Sequence, residues 1–139
     1  MTQGGQGSLA SCKSAVRVMP MGNGVAQGIC ALADSLGLHG VRIDLAGRHD
    51  KAGLLASTAE ALHFPDWFGH NWDAWFDCLV DLRWRPAGGY VLVFEHADEL
   101  RRISPETFDT AISILEEVAQ VWYNRSVPLR VFLGLSESN

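Results

Sequence analysis

FPDWFGHNWDAWFDCLVDL, residues 64–82, decides how this chain is read. The stretch holds three of the five tryptophans, four aspartates (Asp66, Asp73, Asp77 and Asp81) and no lysine or arginine. Its spacing predicts a helix over 71–82, launched from a turn at Gly69. Trp72, Trp75, Phe76 and Leu79 fall at i, i+3, i+4 and i+7, the stripe of a helix buried against a core. Asp73, Asp77 and Asp81 form an i, i+4, i+8 row on another side. Like charges one turn apart repel by about 0.2–0.5 kcal/mol per pair. A solvated face is the plain explanation of an acidic row. The aromatic residues and the glycine turn around this one ask for more.

Working outward, the alternation of strand and helix signals continues on both sides. Upstream, VRIDL at 41–45 alternates apolar and polar residues and predicts a strand. Asp50 is placed to cap a helix over 51–62 that buries Leu54, Leu55, Ala59 and Leu62. Earlier still, 15–19 predicts a short strand closed by Pro20. A helix over 25–36 follows, with Val25, Ile29, Leu32 and Leu36 inward and Gly37 as its stop. Downstream, YVLVF at 90–94 is continuously apolar, as a central strand covered on both faces should be. A short helical turn over 95–102 precedes a longer helix, with Ser104 as its cap and Pro105 in its first turn. That helix reaches about 123, with Phe108, Ile112, Leu115 and Ala119 inward, and a last strand occupies 127–133. Strand and helix in alternation imply an α/β fold with a mainly parallel sheet.

The composition fits one globular domain: 139 residues, 47% hydrophobic and 19% charged. Residues 1–14, rich in Gly, Ser and Gln, predict a flexible tail. Residues 15–40 form a strand–helix extension, and 41–135 the main unit. A net charge of −5 disfavours direct nucleic-acid binding, which needs a basic patch, and suits a basic protein partner. No apolar run spans a bilayer, and the first residues lack a secretory signal. The three cysteines, Cys12, Cys30 and Cys78, are far apart and form no CxxC pair. Free thiols in a reducing cytoplasm fit them best.

Phe64-Pro-Asp-Trp-Phe-Gly-His-Asn-Trp-Asp-Ala-Trp-Phe-Asp-Cys-Leu resembles the signature of the barstar family of intracellular ribonuclease inhibitors. In that signature an apolar residue and proline lead through two aromatics and a glycine to Asn-x-Asp-Ala-x-x-Asp-x-Leu. A looser resemblance runs from Val41 to Leu133. It implies a small parallel sheet of three strands, near 41–45, 90–94 and 129–133, packed with helices. It also implies that the motif loop and helix plug the active-site groove of a basic ribonuclease or ribonuclease toxin. The family's interface aromatic falls on Trp67 and its helix carboxylates on Asp73 and Asp77. Phe68, Gly69, Asn71 and Phe76 shape or flank that surface, and Asp81 extends the row. Departures lie at the rim: Val80 and Asp81 stand where the family has small residues. Gln120 stands where it has an interface glutamate, with Glu116 and Glu117 one turn earlier.

The expected function is therefore protein binding, with no catalysis and no cofactor, by a chain that is monomeric when free. Two carboxylates one turn apart can imitate the phosphate that a ribonuclease site is built to hold, accepting charge-assisted hydrogen bonds from its cations. A second reading keeps the fold as a regulatory module for another basic protein. A third, a hydrolase using Asp73 and Asp77 with His70, lacks a third metal ligand at suitable spacing. Cys78 reads as a small buried thiol. Neither a P-loop nor a GxSxG motif is present.

Overall fold

The computed structural model describes residues 15–66, 68–82 and 88–136. In chain order the elements are β1 (Val16–Pro20), α1 (Val25–Ser35), β2 (His39–Asp44), α2 (Lys51–Leu62) and α3 (Trp72–Leu79). They are followed by β3 (Tyr90–Glu95), α4 (Asp98–Ile103), α5 (Pro105–Asn124) and β4 (Leu129–Leu135). The strands form one sheet in the order β1-β4-β3-β2, every pair parallel. The α/β class with helices packed on a parallel sheet is as expected, but the sheet has four strands and not three. The added strand is β1, whose Val16 pairs with Val131 and whose Pro20 pairs with Leu135. It occupies backbone groups that β4 would otherwise leave open at an edge. Pro20 is tolerated as the last residue of this edge strand, where a missing N–H costs little.

Alternation along the strands divides the core into two unequal layers. Tyr90, Leu92 and Phe94 of β3 join Val41, Ile43, Leu129, Val131 and Leu133 on the larger side, under α2, α3 and α5. Val91 and Val93 face the other way, with Ala26 and Ala33 of α1. The inward face of α1 agrees with the expected one at Ile29, which packs on this layer, but not at Leu32 and Leu36. Ala26 and Ala33 are buried, while Leu32 and Leu36 stand 62% and 65% exposed. Small residues win this face because the helix lies close to the sheet. A Cβ on Gly40 would meet Cys30 Cα at 3.0 Å.

α2 forms over the expected residues, with the Asp50 carboxylate accepting from the Gly53 N–H at 2.8 Å. Ser104 is the N-cap residue of α5, as expected, but its side chain makes no capping bond; its hydroxyl donates to the His49 carbonyl at 2.6 Å. α3 is shorter than the periodicity implies. It ends at Leu79, with Val80 as its C-cap, so Asp81 lies beyond the helix and off the acidic row. Among the described residues no helix is long and apolar enough to cross a membrane.

Candidate functional site

α3 and the loop before it carry the acidic surface, and their position is fixed from below by burial. Trp75, Cys78 and Leu79 are fully buried. Trp72 and Phe76 are partly buried and pack on the same core. Burying one leucine is worth about 1.5–3 kcal/mol. Leu79 alone outweighs the few tenths of a kcal/mol by which Asp73 and Asp77 repel each other.

The loop is built around Phe68. Its ring is only 6% exposed and packs against Phe64 at 5.0 Å and His70 at 4.6 Å between centroids. Phe68 was expected among the contact residues; it supports the loop from inside instead. The Phe68 N–H bonds the Pro65 carbonyl at 3.0 Å, closing the turn before Gly69. Asn71 then starts the helix. Its side-chain oxygen accepts from the Ala74 N–H at 2.8 Å, and its amide nitrogen donates to the Gly69 carbonyl at 3.2 Å. One side chain thus caps α3 and ties down the turn that leads into it. His70, between them, holds a left-handed backbone with φ 51°. Trp67, the expected interface aromatic, lies outside the described residues.

Asp73 and Asp77 are exposed, one turn apart, with Asp73 in the first turn, where the helix dipole favours a carboxylate. Among the described residues neither enters an ion pair, whereas Glu95, Glu60 and Glu99 are each paired with an arginine. Gly69 and Asn71 are exposed beside them, and Asp81 is half-buried past the helix end. Gln120, on α5, is half-buried, and its amide donates to the Asn124 side chain at 3.0 Å. Lys51 places its ammonium 5.4 Å from the Trp72 ring centroid, at the back of the helix.

The C-terminal end of α3 meets α5. The Trp122 indole N–H donates to the Leu79 carbonyl at 2.9 Å, and the Arg125 guanidinium donates to the Val80 carbonyl. Neither residue stood out in the sequence, because their partners lie more than forty positions away. The one available signal was that Trp122 continues the stripe of Phe108, Ile112, Leu115 and Ala119, three residues beyond Ala119, and is buried with it.

Cys78 sits beneath Asp77. Burial, with the charges of Asp77 and Asp81 adding to it, pushes its thiol up from 9.0 to about 11. It is therefore a protonated core residue at neutral pH, not a nucleophile. Among the described residues no three His, Cys, Asp or Glu side chains converge as a metal site.

What the arrangement offers is a pair of exposed carboxylates, without an ion pair among the described residues, on the ridge of a helix whose other face is buried. The family model described as Barstar (barnase inhibitor) matches residues 38–134, which include every element of this ridge. No curated protein matches the chain. The match covers well over half of the sequence, and the chain belongs to the barstar family.

Proposed function

From membership of the barstar family, whose model is described as a barnase inhibitor, we propose that this chain inhibits a basic ribonuclease by seating α3 in its active-site groove. The observation that carries the reading is the state of Asp73 and Asp77. They are exposed, one turn apart and without an ion pair among the described residues, on a helix whose opposite face is buried. Such a pair stands in for an RNA phosphate, and the target's arginines, lysines or histidines close around it with charge-assisted hydrogen bonds. Trp67 supplies a large apolar contact at the loop, a residue type that often dominates an interface. Gly69 and Asn71 shape the approach, Phe76 braces the ridge, and Asp81 lies at its margin. The contact surface belongs to residues 41–135, and the strand–helix extension of 15–40 braces the sheet behind it.

Occlusion has a direct test. A mononucleotide bound in the active site of barnase should be displaced competitively as this protein is added. Simultaneous binding of both would place α3 elsewhere and contradict the phosphate mimicry.

A further inference from the structure

We propose that Trp122 and Arg125 are positioning residues for the acidic helix: together they form a latch that fixes the C-terminal end of α3 against α5. This proposal rests on the inhibitory reading only for its consequence in binding; the latch itself is a property of the free protein.

A helix of eight residues does not hold its direction by its own hydrogen bonds. Its last carbonyls need partners from outside. At the start, Asn71 does this work locally. At the end, the chain itself supplies two bonds, Val80 N–H to the Phe76 carbonyl and Asp81 N–H to the Cys78 carbonyl. The next two carbonyls, of Leu79 and Val80, are taken by Trp122 and Arg125. The two donors are not independent. The Arg125 guanidinium lies over the Trp122 ring at 4.6 Å, and that ring packs on Tyr90 at 5.2 Å. A continuous chain of contacts thus runs from the first residue of β3 through Trp122 to Arg125 and into the end of α3. The positive charge of Arg125 also sits at the end of the helix that favours a cation.

The consequence concerns geometry. Asp77 is two residues from Leu79, so a helix end that rocks would move its carboxylate relative to α5. Charge-assisted hydrogen bonds lose strength with small displacements, and a site held about 1 Å too loosely fails in function while still folding. Without the latch, the protein should fold and still attract its partner, but should hold it less long.

Arg125→Ala provides a sign test. It removes a positive charge and leaves the protein more acidic. If charge attraction alone governed binding to a basic enzyme, the variant would associate faster and bind more tightly. The latch predicts the opposite affinity. With barnase as the probe, Arg125→Ala should keep or raise the association rate and raise the dissociation rate roughly 10-fold, with Arg125→Lys restoring part of the loss. Trp122→Phe, which keeps a ring and removes the donor, should behave alike. In the free protein, amide hydrogen exchange over residues 75–80 should accelerate selectively in both variants, while β3 and β4 exchange as in the parent. Exchange of 75–80 at parental rates, or an Arg125→Ala protein that binds as tightly as the parent, overturns the latch. If the parent itself fails to bind barnase, the inhibitory reading falls. Exchange alone then decides: selective acceleration upholds the latch and parental rates overturn it.

Discussion

At the scale of single residues, Asp77 bears most of the proposed function. It is exposed in the middle of α3, one turn after Asp73, on the pair that the proposal takes as the phosphate mimic. Asp77→Ala should weaken ribonuclease binding by at least about 2 kcal/mol, roughly 30-fold, as read by titration calorimetry. Asp81→Ala should cost less, because Asp81 lies past the C-cap Val80 and not in line with the other two. Cys78 makes a separate prediction about pH. Its folded thiol is raised to about 11, so the neutral form is the one the fold favours. The stability this contributes is complete below the ordinary thiol value and is lost as pH rises through the folded one. Cys78→Ala should start less stable but lose less than the parent between about pH 9 and pH 11 in denaturant melts. An equal loss in both proteins would show that Cys78 is not held neutral by burial.

At the scale of elements, α3 and its cap are the piece to perturb. Asn71→Ala removes both the helix cap and the tie to Gly69, and should cost about 1 kcal/mol in urea unfolding, while Asn71→Asp keeps the cap. What was legible here followed from local chemistry. Asp50 and Lys51–Leu62 matched because cap, helix propensity and apolar stripe agreed within one segment. The end of α3 was not legible. Periodicity carried the helix on to residue 82, while Trp122 and Arg125, distant in sequence, take the carbonyls where it stops. Ser104 shows the same effect: a good capping residue gives its hydroxyl to His49 instead. The face of α1 departs from the apolar stripe at Leu32 and Leu36, though not at Ile29, because size matters more there than hydrophobicity. Ala26 and Ala33 admit the close approach at Gly40 that Leu32 and Leu36 would obstruct. In the candidate site, the helical row of Asp73 and Asp77 and the helix start at Asn71 were readable from spacing and motif. The inward turn of Phe68 was not, since an aromatic beside a glycine turn can face either way.

At the scale of the whole molecule, charge and topology act together. The parallel sheet and its helices hold α3 as a ridge, and β1 adds a fourth strand outside β4 that spacing alone could not pair, since Val16 meets Val131 from the far end of the chain. A net charge of −5, with Asp73 and Asp77 exposed on that ridge, favours fast encounter with a basic enzyme. Barnase and barstar are themselves the standard example of such steering. Raising ionic strength from about 0.01 M to 1 M shrinks the screening length from about 30 Å to 3 Å. Association should slow steeply over that range while dissociation changes little; a salt-independent association rate would argue against steering. The most direct measurement is the titration of a barnase-type ribonuclease with this protein while RNA cleavage is followed. Cleavage should fall to zero near one equivalent, and an Asp73→Ala/Asp77→Ala protein should leave much of it intact. Undiminished cleavage at excess parent protein, or equal inhibition by the double variant, would contradict the account.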